Sequence, residues 1–158
     1  MATTVKTNKG DYAPGETAHI SAEGFAEGAS IRFQVVNLGA DGLLGTADDI
    51  AYPSWIVTDS AGSSFSADAD GRAGSVATSW VVPESALNST LVLTAESVTA
   101  GEDGQLGTAD DQSAGQLATT TFTDANPGPL QTYFVPLPEQ QVNYIFNDLE
   151  NSQVQNLL

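Results

Sequence analysis

Between Val5 and Thr123 the chain falls into short runs in which apolar and polar residues alternate, each closed by glycine, proline or a cluster of small polar residues. That rhythm of two, repeated at roughly 8–12-residue intervals, is what a stack of half-buried strands requires. The clearest run is Ser30–Asn37, with Ile31, Phe33 and Val35 on one face and Arg32 and Gln34 on the other. Thr17–Glu23 sets Ala18, Ile20 and Ala22 against His19, Ser21 and Glu23. Further strands are expected near Val5–Thr7, Tyr52–Thr58, Gly74–Val82, Thr90–Val98 and Gln116–Thr123, the last placing Ala118, Thr120 and Phe122 together. None of the seven carries a helical period, and parallel strands would need crossover helices. The pattern therefore predicts an all-β fold, an immunoglobulin-like antiparallel β-sandwich of about seven strands over residues 1–126.

Residues 127–158 change character. Pro127-Gly128-Pro129 opens a Pro-rich linker and extended segment, 127–137, because its prolines suit neither a helix nor a central strand. From Pro138 to Leu158 there is no glycine, and Val142, Ile145, Phe146 and Leu149 follow the spacing of an amphipathic helix or the start of a next module.

One eleven-residue segment occurs twice. Gly39-Ala40-Asp41-Gly42-Leu43-Leu44-Gly45-Thr46-Ala47-Asp48-Asp49 returns as Gly101-Glu102-Asp103-Gly104-Gln105-Leu106-Gly107-Thr108-Ala109-Asp110-Asp111, changed only at Ala40/Glu102 and Leu43/Gln105. Each copy separates two expected strands, so each is expected at a hairpin tip. Asp41, Asp48 and Asp49 supply three carboxylates, and Asp103, Asp110 and Asp111 supply three more. The glycines let the backbone curl so that carbonyls, those of Leu44 and Leu106 among the candidates, can point inward. Calcium takes 6–8 oxygen ligands of this mixed kind at about 2.3–2.6 Å. Magnesium demands a tighter octahedron, and zinc or copper prefers nitrogen and sulfur. Neither copy has the terminal Glu of an EF-hand. Asp68-Ala69-Asp70-Gly71 is a third candidate, and the expected topology would let Asp68 or Asp70 complete the second loop's site. The competing account of both loops is a pair of solvated acidic tips held by Asx turns.

Gly10-Asp11-Tyr12-Ala13-Pro14-Gly15-Glu16-Thr17, then Ile20-Ser21-Ala22-Glu23-Gly24-Phe25, resembles the opening of immunoglobulin-like domains in large secreted or surface-anchored, adhesin-like bacterial proteins. Tyr52–Asp59 and Thr120–Asn126 are similar to segments of the same group, and the repeated loops look like its calcium sites. The resemblance spans about residues 4–126 and implies an extracellular architectural module.

The chain carries four Lys plus Arg against 20 Asp plus Glu, a formal charge of −16. Such a surface repels nucleic acid and anionic membranes, so neither is expected as a partner. Without cysteine there are no disulfides or thiol chemistry. No segment approaches signal-peptide or membrane-span length, so the chain reads as a mature extracellular or cell-surface fragment. No enzyme is expected: the single histidine, His19, lies on a polar strand face, and the paired carboxylates sit on glycine loops better suited to metal than to acid–base work. A Lys–Asp/Asn crosslink, a feature of related surface domains, would draw on Lys6 or Lys9 with Asp124 or Asn126 and Glu96; two exposed lysines are the simpler reading. The expected partners are neighbouring domains or copies of itself, with a carbohydrate or protein ligand also open. A self-assembling subunit that uses residues 127–158 is the alternative function.

Overall fold

The computed structural model describes residues 1–59 and 68–125. Among these residues eight strands form in chain order: β1 Thr4–Thr7, β2 Thr17–Glu23, β3 Ser30–Asn37, β4 Ile50–Ala51, β5 Trp55–Thr58, β6 Ser75–Val81, β7 Ser89–Thr99 and β8 Gln112–Asp124. One antiparallel sheet runs β1-β2-β6; the other runs β4-β3-β7-β8, with β5 also pairing β3. The linker and the expected helix at 127–158 lie outside the described residues.

The alternation read from the sequence is the alternation of burial. Ile31, Phe33 and Val35 of β3 are fully buried, as are Leu91, Leu93 and Ala95 of β7. They meet Ala18, Ile20 and Ala22 of β2 and Val76 of β6, so the inner faces of both sheets share one core. Aromatic rings link the layers: Trp80 of β6 lies edge-on to Phe122 of β8 at 6.2 Å, and Phe122 meets Tyr12 at 5.5 Å. Phe33 stacks on Trp55 within its own sheet at 5.5 Å. Both tryptophans pack against the core while remaining partly exposed.

The structure departs from the expected strands most clearly in two places. The run Tyr52–Thr58 is strand only from Trp55, as β5 pairing the start of β3 (Phe33↔Trp55), and a separate short strand before it, β4, pairs the end of β3 (Asn37↔Ile50). Pro53 lies in the gap, where its missing N–H leaves no ladder bond to make. β8 begins at Gln112 rather than Gln116, because the register shift between Glu96 and Val98 absorbs Gly115 in a left-handed conformation (φ 89°) instead of ending the strand. A single 3-10 turn, Glu84–Ala86, joins β6 to β7 and buries Ala86.

The registers fix the two ends of the molecule. β3 and β7 run antiparallel from Ser30↔Val98 to Asn37↔Leu91. The 38–49 connection therefore leaves from one pole and the 100–111 connection from the other. Each joins an antiparallel pair, β3–β4 and β7–β8, and so is a hairpin tip as expected.

Candidate metal-binding loops

The two loops share a common set of hydrogen bonds in three dimensions. The amide of Leu43 donates to Asp41 Oδ1 at 2.8 Å, and that of Gln105 donates to Asp103 Oδ1 at 2.8 Å. Asp48 Oδ2 accepts from the Asp41 amide at 3.3 Å, as Asp110 Oδ2 does from Asp103 at 3.2 Å. Gly45 and Gly107 donate to the Oδ2 of Asp49 and Asp111 at 2.6 and 2.8 Å. At the centre stands a threonine hydroxyl. Thr46 Oγ1 reaches Asp48 Oδ1 at 2.8 Å and the Leu43 carbonyl at 3.1 Å; Thr108 Oγ1 reaches Asp110 Oδ1 at 2.6 Å and the Gln105 carbonyl at 3.2 Å. In the first loop the same hydroxyl also lies 3.3 Å from Asp41 Oδ1.

The conserved letters between the copies are those this geometry needs. Gly42 and Gly104 sit at φ 68° and 69°, and Gly45 and Gly107 at 93° and 88°, a region costly for residues with a Cβ. Gly39 and Gly101 are needed for space, since a methyl group on either would overlap the carboxylate and carbonyl of Asp48 or Asp110. The two positions that vary, 40/102 and 43/105, are exposed and contribute main-chain groups.

These contacts stabilise the ionised carboxylates. Asp48 is held below the usual aspartate range, first by the Thr46 hydroxyl and then by the Ala40 amide. Asp110 is lowered in the same way, first by Thr108 and then by the Asp103 amide. Most carboxylate oxygens are engaged with their own loop, and among the described residues no three acidic or histidine side chains stand together as a ready ligand set. The Asx-turn element of the competing account is therefore present. One atom in each loop is left over: Asp49 Oδ1 and Asp111 Oδ1 are both sequestered from solvent and both lack a partner.

Asp68 and Asp70 serve the turn before β6. Asp68 Oδ1 accepts from the amides of Asp70 and Ala77 at 3.2 and 3.0 Å, and Asp70 accepts from the Arg72 amide and the Ser75 hydroxyl at 2.8 and 2.7 Å. The main-chain groups turned toward the threonines are the carbonyls of Leu43 and Gln105, one residue before Leu44 and Leu106, whose side chains are exposed.

Of the residues considered for a crosslink, Lys9 and Glu96 have ion-pair partners of their own, and Asn126 lies outside the described residues. Lys9 pairs with Glu16 at 2.7 Å, while Glu96 pairs with Arg32 at 2.6 Å in the middle of the β3–β7 ladder. Asp124 lies opposite Ser89, at the far end of β7 from Val98. No helix among the described residues is long and apolar enough to cross a membrane. Comparison with family models, with curated proteins and with solved structures finds no match to this chain.

Proposed function

We propose that the protein is a non-enzymatic, calcium-binding structural module of a bacterial extracellular or cell-surface protein, in which calcium rigidifies the hairpin tips at both poles. The observation that carries this reading is the orphaned oxygen. Asp49 and Asp111 each bury a carboxylate oxygen without a donor, at the same place in two loops that otherwise satisfy themselves. A buried anionic oxygen left unpaired is costly, and a repeated cost calls for a repeated partner. A hard divalent cation is the partner that suits an all-oxygen loop with no lysine or arginine in it.

Asp41, Asp48 and Asp49 would hold one ion and Asp103, Asp110 and Asp111 another, with nearby main-chain carbonyls completing each set. The bound ion supplies positive charge that relieves repulsion within a short acidic segment. Because the carboxylates already accept bonds from their own amides, ligation has to compete with those contacts. The sites are accordingly weak, with Kd of about 10⁻⁴–10⁻³ M, the range of extracellular calcium modules.

The strand order β1-β2-β6 against β4/β5-β3-β7-β8 supports the finer reading of the sandwich as immunoglobulin-like. Ions at opposite poles would stiffen the ends at which neighbouring domains or further copies meet. The test is thermal melting in CaCl₂ and in chelator. A ligand that binds only the folded state at a hundredfold excess over Kd adds about 2.7 kcal/mol. A midpoint that rises with calcium and falls back with chelator supports the proposal; one indifferent to both defeats it.

A further inference from the structure

β8 ends on a carboxyl group inside the sandwich. Asp124 follows Ala118 and Phe122 on the inward side of the strand and is fully buried. Neither of its carboxylate oxygens has a hydrogen-bond partner. Its main chain is held in place, because the carbonyl accepts the Asn88 amide at 2.5 Å and the residue pairs with Ser89 of β7. The carboxyl can reach water only if this last pair of the ladder opens.

The charged groups on the surrounding elements are placed elsewhere or carry the same sign. Lys6 of β1, His19 and Glu23 of β2 and Glu84 in the turn before β7 are all exposed. In the β1–β2 connection Lys9 is taken by Glu16, whose other oxygen accepts the Ala13 amide. Asp11, in the same connection, makes a parallel bridge to Thr123, and its Oδ1 accepts from the Thr123 hydroxyl at 2.6 Å and the Ala125 amide at 3.0 Å. On β7, Glu96 lies toward the opposite end of the ladder from Ser89 and pairs with Arg32 of β3. β6 has no titratable residue. Neither ion pair among the described residues includes Asp124.

A carboxyl group kept from water without a donor is tolerated best when it is uncharged. We propose that Asp124 is a proton-operated latch on the end of β8: uncharged, it stays inside and the strand is paired to its last residue; ionised, it turns out to water and the Ser89–Asp124 pair opens. Burial, then the charges of Asp11 and Glu16, raise its pKa, in keeping with this. The open end titrates near the ordinary aspartate value of about 3.9, whereas the closed end keeps its proton to higher pH. Acid therefore favours the closed end, and closure is lost as pH rises through the raised value. The opening is local, since the paired core of β7 and β3 does not depend on this residue. The latch does not require either repeated loop to bind calcium.

The test is NMR on the full 158-residue chain in chelator across the acid-to-neutral range. It follows the side-chain carboxyl carbon of Asp124 and the exchange protection of the Asn88 amide, which donates to Asp124. Asp124 should titrate above the ordinary aspartate value. Asn88 protection, corrected for intrinsic exchange, should fall about tenfold for each pH unit of that excess, while the Leu93 amide in the middle of β7 keeps its protection. Asp124→Asn keeps the shape without the charge and should leave Asn88 protected at every pH. A midpoint at or below the ordinary value overturns the latch, as does Asn88 protection that is flat through the midpoint or follows the same course in Asp124→Asn. The midpoint is read on the parent chain, so the latch can fail even where Asp124→Asn weakens the fold.

Discussion

Asp49 and Asp111 occupy equivalent positions at opposite poles of the sandwich, and each presents one carboxylate oxygen to its loop amides while burying the other without a donor. Hairpin tips that were only acidic and solvated would have no reason to sequester an acceptor. The relationship separates what each loop does for itself from what it leaves for a ligand.

Replacing the orphaned acceptor should therefore have opposite effects with and without the ion. Asp49→Asn or Asp111→Asn keeps the shape, removes a buried unpaired charge and should leave chelator-treated protein as stable as the parent or slightly more so. In millimolar CaCl₂ each variant should lose its share of the stabilisation, about 1–2 kcal/mol, or roughly 2–8 °C in Tm for a chain of this size. Differential scanning calorimetry of each single variant and of the pair, in both buffers, checks this. Variants that retain the full calcium increment would rule out these aspartates as ligands.

Glycine substitutions should distinguish space from backbone conformation in the second loop. A methyl at Gly101 meets Asp110, whereas one at Gly104 meets nothing and is disfavoured only by φ 69°. Gly104→Ala should cost about 1–2 kcal/mol from the left-handed backbone alone. Gly101→Ala should displace Asp110 from the amide of Asp103 and so also abolish the loop's calcium response. Urea unfolding gives the first quantity and calcium titration the second; a Gly101→Ala protein with an intact calcium response contradicts the packing argument.

How much of this was readable in advance differs by residue. The faces of β2, β3 and β7 were legible because each has one buried side, and period two then has a single solution. Pro53 was visible, but whether it ends a strand or merely interrupts one depends on how far β3 extends beside it. Gly115 looked like a strand end because a bulge needs the partner strand to be identified. The repeated loops were plain as letters; the orphaned oxygens of Asp49 and Asp111 were not, since they depend on which amide each carboxylate reaches. Asp124 has the parity of Phe122 and was in that sense legible as inward-facing, but its charge argued for the surface.

The Arg32–Glu96 pair should give stability a measurable acid limb. Arg32 is the main cause, and the Ser113 hydroxyl the next, holding Glu96 below the usual glutamate range. A carboxylate whose folded pKa is depressed contributes stability above its unfolded pKa, about 4.3, and loses it as pH falls through the lower folded value. Both side chains are partly exposed, so the effect is under about 1 kcal/mol. Comparing Glu96→Gln with the parent in chelator, the stability difference should be constant near neutrality and shrink below about pH 4. A difference that does not change across that range contradicts the pairing.

The sharpest check on the fold itself is Tyr12, which is fully buried and joins three elements at one pole. Its ring lies edge-on to Phe122 of β8, and its amide donates to the Thr123 carbonyl at 2.9 Å. Its hydroxyl donates to Asn8 Oδ1 at 2.7 Å and accepts the Lys9 amide at 3.0 Å, while Asn8 Oδ1 also takes the His19 amide of β2 at 2.9 Å. Tyr12→Phe keeps the ring and deletes only the oxygen, leaving the Lys9 amide short of its acceptor; the expected loss is about 1–2 kcal/mol. Phe122→Ala removes the ring that meets both Tyr12 and Trp80 and should cost about 3–5 kcal/mol. The two losses should not add in the double variant, because once Phe122 is gone the Tyr12 ring lacks the neighbour that orients its hydroxyl. A double-mutant cycle in urea measures that coupling, and strict additivity would mean that Tyr12 is held by its hydrogen bonds alone.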